Sequence, residues 1–492
     1  MLLVGRVFAA AVGFVTQVLI VRALSKADYG VFAYGLSVVT LAETAMTLGM
    51  DRAVSRFVPI YEERGEHEKA LGTIVAVVAL VTGLGVLLVT VASMFPSLVS
   101  GSFSSDDAAV KVIVVLVLLA PVQALDNLLV GLFAVFDRPR AIFVRRFVLG
   151  PLLRLLVVVL LLVSGQGGEF LAAGYVAAGA VGVALYAGVL VGVLRSRAIL
   201  VPGAVRRIRV PFRELVFFAL PLFSTDLVFV MLEAMDAILV GHFGTAADVA
   251  ELRAVQPVAR LNQLVLASFG LLFTPVAARL FARRRNDEIR RLYWSSAIWI
   301  AALSYPAFLV SFALAEPLTV ALFGARYEQS AGILAILALG YFFNASLGFN
   351  GLTLNVFGLV RPVVMINLLS LVVNLVLNLA LIPVLGPVGA AIGTTTTLVT
   401  QNLARQLFLA RRTGVPFMDR GAAAIYLRMA LGVVALLTLQ LLIDPPLALG
   451  LLAAGAISIA TLTHASGSMQ LAETFPEIAR LPLVRRLVRP RS

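Results

Sequence analysis

The chain has 492 residues, of which 61% are hydrophobic and only 13% are charged, and its mean hydropathy is +1.01. Soluble domains carry roughly twice that charged fraction, so the composition excludes an ordinary soluble protein and indicates a membrane protein. The absence of cysteine excludes disulfides, thiolate metal sites and cysteine nucleophiles, whereas the net charge of +13 leaves nucleic-acid binding to be tested by where the charges lie.

Apolar segments of about 20 residues recur along the sequence, each long enough to cross a hydrocarbon core of about 30 Å. The first is predicted to be a span rather than a signal peptide, because it lacks a basic start and a small-residue cleavage site. The predicted spans are fourteen: 2–24, 30–58, 70–95, 110–136, 142–163, 170–194, 215–241, 249–280, 292–315, 329–357, 362–383, 387–410, 422–442 and 447–466. The second and eighth are long enough to extend beyond the bilayer or to bend, and the candidate bends are Pro59, Pro257 and Pro275.

Most of the 39 Lys and Arg residues fall at alternate connections of this predicted topology, including Arg138, Arg140, Arg145 and Arg146. The positive-inside rule places these connections, and with them both termini, in the cytoplasm. The expected location is the plasma (inner) membrane. The basic residues are then orientation signals that attract anionic membrane lipids, so nucleic acid is not an expected partner.

Two segments of the sequence resemble each other, "LFAVFDRPRAIF" at 132–143 and "TLNVFGLVRPVVM" at 353–365. Two halves with an even number of spans must have the same orientation, so we predict two six-helix lobes related by a pseudo-twofold axis along the membrane normal. The predicted parts are an N-terminal lobe at 1–195, a basic cytoplasmic loop at 196–214, a C-terminal lobe at 215–412, and two additional helices with a basic cytoplasmic tail at 413–492. This all-α, two-lobed organisation is typical of secondary transporters.

Charged residues inside two neighbouring spans are the first candidates for a site. An ionised residue at a helix centre costs about 2.5–3.5 kcal/mol to insert, so such groups should face protein or water. The seventh span carries Asp226, Glu233 and Asp236 within an arc of about 80°, and the eighth carries Arg253 and Arg260. Two interpretations stay open. Either Glu233 or Asp236 pairs with Arg260, or the arginines bind an anionic substrate in a cavity while the acids hold a proton or cation.

The first half of the chain contains comparable cations, Arg22, Arg52 and Arg154. Arg22 and Arg52 lie close enough to span ends for their side chains to reach the membrane surface instead of a cavity. Arg154 lies inside the fifth span, with Glu43 and Asp126 as candidate partners.

The eleventh span carries a stripe of amides, because Asn374 and Asn378 each fall within about 20° of Asn367 on a helix. Side-chain hydrogen bonds between helices are the favoured role of this stripe, and substrate contact is the alternative.

The sequence predicts neither a metal site nor a cofactor. Its three histidines, His67, His242 and His464, are dispersed and fit no metal-ligand spacing. A Walker-type glycine-lysine loop is missing, so direct ATP hydrolysis is not expected.

Four segments together resemble the polysaccharide and oligosaccharide flippases of the multidrug/oligosaccharidyl-lipid/polysaccharide exporter superfamily. These segments are "IVRALSKADYGVFAYG" (20–35), "LGMDRAVSRF" (48–57), "LFGARYEQSAGILAILALGYF" (322–342) and "NLVLNLALIPVLGPVGAAIGTTTT" (374–397). The resemblance implies a transporter of fourteen helices that moves a lipid-linked oligosaccharide from the inner to the outer leaflet. It also implies a cationic cavity for the diphosphate, where Arg22, Arg52, Arg253 and Arg260 are the matching candidates.

The expected activity is therefore transport by alternating access, coupled to a Na⁺ or H⁺ gradient or to the membrane potential. The expected partners are the lipid-linked oligosaccharide, membrane lipids, and glycosyltransferases or a polymerase of the same pathway, with the chain itself monomeric. An ion-coupled extruder of multidrug type is the main alternative. A membrane enzyme acting on lipid-linked sugars is less expected, because the predicted outer connections are short.

Overall fold

The structure, a computed structural model, describes residues 2–103, 106–203 and 207–468, so the predicted basic tail after Arg480 lies outside the described residues. The described part is helical and contains no strand, which confirms the predicted all-α membrane fold. Contacts within the chain define two compact units, the N-terminal unit (1–253) and the C-terminal unit (254–492). The predicted lobes, with their boundary at 196–214, rest on sequence repetition and stay a prediction.

The helices of the N-terminal unit are α1 Leu2–Ala23, α2 Lys26–Thr47, α3 Met50–Glu63, α4 His67–Met94, α5 Ser97–Ser100, α6 Asp107–Val117, α7 Leu119–Val135, α8 Pro139–Phe143, α9 Gly150–Ser164, α10 Gly168–Ser196 and α11 Phe212–Phe243. Helix α12, Ala246–Arg260, contains the boundary between the units. The helices of the C-terminal unit are α13 Leu264–Ala282, α14 Asn286–Ala313, α15 Ala315–Phe323, α16 Ser330–Ser346, α17 Asn350–Val356, α18 Val360–Leu385, α19 Pro387–Thr413, α20 Arg420–Ile443 and α21 Leu447–Ser468.

Each predicted span coincides with one or two of these helices, but the number fourteen is not confirmed. Within the described residues, eleven helices are long and apolar enough to cross a membrane, or twelve if the segments Ala246–Gly270 and Phe273–Ala282, bent by 42°, form one span. The predicted span 387–410 corresponds to α19, which carries buried polar residues such as Asn402 and Gln406. The predicted span 447–466 contains a shorter apolar helix, Leu447–Thr463.

The second predicted span is broken, although not at the expected proline. Helix α3 continues through Pro59 to Glu63, so the helix does not end at this proline, and a bend there stays a prediction. The break lies at Leu48 and Gly49, which adopt left-handed backbone conformations with φ of 47° and 71°. A methyl group on Gly49 would lie 2.7 Å from the carbonyl oxygen of Ala219, so close helix packing as well as backbone geometry favours glycine there.

A second broken span in the C-terminal unit is held by tyrosine hydroxyls. Helices α16 and α17 meet at Gly348, and the end of α16 leaves carbonyl groups without helical partners. The Tyr293 hydroxyl lies 2.6 Å from the carbonyl oxygen of Leu347 and 2.5 Å from Oε1 of Gln406. The Tyr426 hydroxyl donates to the Ser346 carbonyl at 2.5 Å. Helices α14 and α20 thereby contact the junction between α16 and α17 directly, and α19 contacts it through Tyr293.

We expect the substitution Tyr293→Phe to lower the free energy of unfolding by about 2 kcal/mol, because the single hydroxyl hydrogen that the buried acceptors of Leu347 and Gln406 share is lost. Titration of the purified protein with SDS measures this change. Tyr34→Phe is the matched control, since the Tyr34 hydroxyl makes no hydrogen bond in the described part of the chain. Equal stability of the two variants would contradict a holding role for Tyr293.

Candidate functional site

Arg22 and Arg52, two of the three exposed arginines among the predicted site residues of the N-terminal unit, lie at helix ends. Arg22 occupies the last turn of α1, and Arg52 lies in the first turn of α3, where it forms an ion pair with Asp226 of α11. The side chains of this pair are 47% and 29% exposed. An ion pair with this access to solvent stabilises a fold by only about 0–1 kcal/mol, so Arg52 can exchange its partner for a ligand at small cost.

Arg253 of α12 is held by groups of two other helices in the same unit. Its Nη2 atom donates to Oγ of Ser37 at 2.7 Å and to the carbonyl oxygen of Glu233 at 3.5 Å. Asp236, one turn further along α11, is buried. The pairing of Glu233 or Asp236 with Arg260 stays a prediction.

Arg260 and the amide stripe belong to the C-terminal unit. The Nε atom of Arg260 donates to the Tyr341 hydroxyl at 3.1 Å. On α18, Asn378 donates to Asn374 at 3.2 Å, and both side chains are buried. Asn367 accepts a hydrogen bond from Nη2 of Arg405 on α19 at 2.5 Å. Of these contacts, the one between Asn378 and Asn374 lies within α18 and the one between Asn367 and Arg405 joins α18 to α19, while a contact with substrate stays a prediction.

Arg154 lines a polar cavity of about 280 Å³ inside the N-terminal unit. Helices α7, α9 and α10 and the π-helical turn Val144–Leu149 form the walls. We call it the N-terminal cavity and define it by its ionisable and amide residues Gln123, Asp126, Asn127, Arg145, Arg146, Arg154 and Tyr175. Arg154 lies near the middle of the candidate span Pro139–Ser164, and Asp126 near the middle of α7. Charge is therefore concentrated at membrane depth.

The partners of these residues differ from the expected ones. Asp126 accepts a hydrogen bond from Nε of Arg145 at 2.7 Å, and Glu43 accepts one from the Asn127 side chain. Neither carboxylate forms an ion pair with Arg154 in the described part of the chain, although Arg154 lies within electrostatic range of Glu43. The guanidinium of Arg154 lies 5.9 Å from the ring centre of Tyr175.

Arg145 is the most firmly held cation of the cavity. Its side chain is only 6% exposed, and its guanidinium lies 5.8 Å from the ring centre of Tyr186. A methyl group on Gly182 would lie 2.5 Å from Nη2 of Arg145. The guanidinium therefore fits against α10 because residue 182 has no side chain. π-Helical turns inside α-helices are frequent at functional sites, and this turn carries both Arg145 and Arg146.

Arg145 and Arg146 are functional candidates that the sequence did not single out. They follow a charged connection, so they resemble cytoplasmic topology signals. Their position inside the predicted span 142–163 was the available signal, because a cation there must be compensated by other groups. Only the packing of α7 and α10 against this segment shows that compensation.

The fold of the chain is that of transporters of the multidrug/oligosaccharidyl-lipid/polysaccharide exporter (MOP) superfamily. A solved structure of the lipid II flippase MurJ in an inward closed conformation is similar over 97% of this chain and 99% of that one, with a TM-score of 0.70 and 13% identity. An inward-facing multidrug resistance MATE family transporter of the MOP superfamily is similar over 82% and 94%, with a TM-score of 0.65 and 16% identity. At these identities the similarity establishes the fold alone.

The chain belongs to the polysaccharide biosynthesis protein family, whose family model matches residues 1–281. A second family model, MatE, matches residues 221–380. No curated protein sequence matches the chain. The predicted superfamily is thereby confirmed, and the chain is a multi-pass membrane protein of this group.

Proposed function

We propose that the protein is a flippase that moves a polyprenyl (di)phosphate-linked oligosaccharide or polysaccharide repeat unit from the cytoplasmic to the outer leaflet by alternating access. The observation that carries this proposal is the match to the polysaccharide biosynthesis family over 1–281, a stretch of membrane-spanning helices that also carries membrane-depth arginines. No covalent step is needed for such transport, so the proposed protein is a transporter and not an enzyme.

The proposed substrate contacts are the guanidinium groups of Arg22, Arg52, Arg154, Arg253 and Arg260. An arginine keeps its charge at any physiological pH and presents a planar fork of donors to phosphate oxygens. Arg52 suits this role well, since its ion pair with Asp226 is accessible to solvent. Asp226, Glu233 and Asp236 are proposed to pair with the arginines or to bind the coupling cation or proton.

The energy source in this proposal is a Na⁺ or H⁺ gradient or the membrane potential, and no cofactor takes part. We place the protein in the plasma membrane as a monomer with both termini cytoplasmic. Glycosyltransferases or a polymerase of the same pathway are its proposed protein partners, because they make and use the lipid-linked cargo.

An ion-coupled multidrug extruder is the second candidate, and the MatE match at 221–380 favours it. In that case the acids of α11 would bind a cationic drug and the arginines would be their structural partners. Proteoliposomes separate the two functions. The flippase exposes a fluorescent lipid-linked sugar to a membrane-impermeant quencher, whereas the extruder moves a cationic dye in response to an ion gradient.

We expect Arg52→Gln to reduce flipping of the lipid-linked sugar at least tenfold, which corresponds to the loss of one charge-assisted hydrogen bond to phosphate. Expression and thermal stability should stay close to wild type, because the Arg52–Asp226 pair is accessible to solvent. Arg56→Gln is the matched control on the same helix, since Arg56 lies over the Phe218 ring at 4.5 Å and is not in the proposed set. Full flipping by Arg52→Gln would remove this residue from the mechanism.

A further inference from the structure

The charges at the N-terminal cavity do not balance. Three guanidinium groups, of Arg145, Arg146 and Arg154, face the space together with one lining carboxylate, that of Asp126. A second carboxylate, that of Glu43, accepts a hydrogen bond from Asn127 behind the wall and lies within electrostatic range of Arg154, so one positive charge is still in excess. The Asp126 carboxylate is engaged by Arg145 at 2.7 Å. In the described part of the chain, neither Arg146 nor Arg154 has a carboxylate within ion-pair distance.

An excess of positive charge inside a helical bundle is unfavourable unless an anion or water compensates it. Arg146 and Arg154 are exposed, so their donors are open to a ligand. Asn127 and Gln123 add amide groups to the same wall. The cavity therefore has the composition of an anion site whose protein ligands are in place.

We propose that the N-terminal cavity binds a phosphate group through Arg146 and Arg154, so that Arg154, one of the proposed substrate contacts, belongs with Arg146 to a site of its own, apart from Arg22, Arg52 and Arg253. Guanidinium pairs match tetrahedral phosphate oxygens because each group presents two parallel donors. The cavity of about 280 Å³ accommodates a phosphate with accompanying water, since roughly 10–15 Å³ of such space is enough for one water molecule.

Arg145 acts in this site as a positioning residue. Asp126, the Tyr186 ring and the space at Gly182 fix its guanidinium at the wall of the cavity. Its charge adds to the positive potential, while its pairing with Asp126 keeps one carboxylate away from an incoming anion. Neutralising Asp126 should therefore strengthen anion binding, which is the opposite of what a purely structural pair predicts.

Two sources could supply the phosphate group, the cargo of the proposed flippase or an anionic lipid of the bilayer. The assignment to cargo rests on the proposed function. The binding site itself does not, because inorganic phosphate and diphosphate are sufficient probes of it.

The experiment measures equilibrium binding of radiolabelled inorganic phosphate and diphosphate to the full-length protein in nanodiscs of zwitterionic lipid at low salt. We expect Arg146→Gln and Arg154→Gln each to weaken binding about tenfold. The control Arg140→Gln removes an exposed arginine of the same helical segment outside the cavity and should leave the affinity unchanged. Asp126→Asn should increase the affinity several-fold. If that variant does not fold, the double variant Asp126→Asn with Arg145→Gln is used, and it should still bind phosphate.

Unchanged binding in both Arg146→Gln and Arg154→Gln would overturn the proposal. So would binding that is lost in Arg52→Gln but kept in the cavity variants, since the anion would then bind to the other arginines.

Phosphatidylglycerol added to the nanodiscs identifies the source of the phosphate group. Competition by this lipid assigns the site to a bilayer headgroup, whereas competition only by a short-chain polyprenyl diphosphate assigns it to cargo. A protein that binds phosphate at the cavity but does not flip sugars would refute the proposed function alone.

Discussion

The substitution Gly30→Ala should lower the free energy of unfolding by about 3 kcal/mol, through overpacking between helices. A methyl group on Gly30 of α2 would lie 1.7 Å from the carbonyl oxygen of Ala246 and 2.5 Å from its carbonyl carbon, at the start of α12. Backbone atoms cannot move aside as a flexible side chain can, so the two helices would have to separate. SDS titration or thermal unfolding of the detergent-purified protein measures the loss.

Gly83→Ala provides the matched control, because Gly83 also lies inside a membrane helix, α4, and a methyl group there would meet nothing within 4 Å. Because alanine has a higher helix propensity than glycine, this substitution should leave the free energy of unfolding unchanged or raise it by up to about 1 kcal/mol. If Gly30→Ala unfolds like the wild-type protein, α2 and the start of α12 do not approach each other as described.

Asp126→Ala is expected to cost about 3 kcal/mol, because it leaves the guanidinium of Arg145 buried without its carboxylate. This loss of unfolding free energy is at the lower end for a broken buried ion pair, since the Asp126 side chain lines the polar cavity and is 28% exposed. The double variant Asp126→Leu with Arg145→Met should recover most of the loss, since an apolar pair of similar volume removes both charges.

The pair Arg285–Glu288 on the predicted cytoplasmic side serves as the comparison. Its atoms are 3.2 Å apart, but both side chains are largely accessible to solvent. Glu288→Ala should therefore change stability by less than about 1 kcal/mol. Equal effects of Asp126→Ala and Glu288→Ala would mean that Arg145 finds water or another acceptor inside the N-terminal cavity.

The segment "KADYGVFAYG", which carries part of the family resemblance, has a packing role in this structure. Gly30 allows the backbone contact with Ala246, and a methyl group on Gly35 would lie 2.6 Å from Cδ1 of Leu116. The Tyr34 ring packs edge-on against Phe103 with ring centres 5.0 Å apart. Small residues let membrane helices approach closely, so the resemblance at these positions reports on the fold more than on a substrate.

The sequence by itself determined the helical membrane class and placed each predicted span on one or two helices, but it did not determine how many of these helices cross the membrane. The reason is local, because apolar length and loop charge act on each segment independently of its neighbours. The same signals were also sufficient to find Arg52, Arg154, Arg253 and Arg260 as charges that need compensation. Helix α19 is not among the helices that are apolar enough to cross a membrane, so the predicted span 387–410 is not confirmed; its amides and threonines are compatible with a membrane helix where neighbouring helices cover them.

Tertiary structure alone decided which groups compensate which charges. Asp126 pairs with Arg145 instead of Arg154, and Asp226 pairs with Arg52, 174 positions away in the sequence. Helix periodicity predicts which residues share a face, but it does not say which other helix that face meets. The break at Gly49 lies ten residues before the proline that the sequence offered as a bend, at a position where the carbonyl oxygen of Ala219 on α11 leaves no room for a side chain.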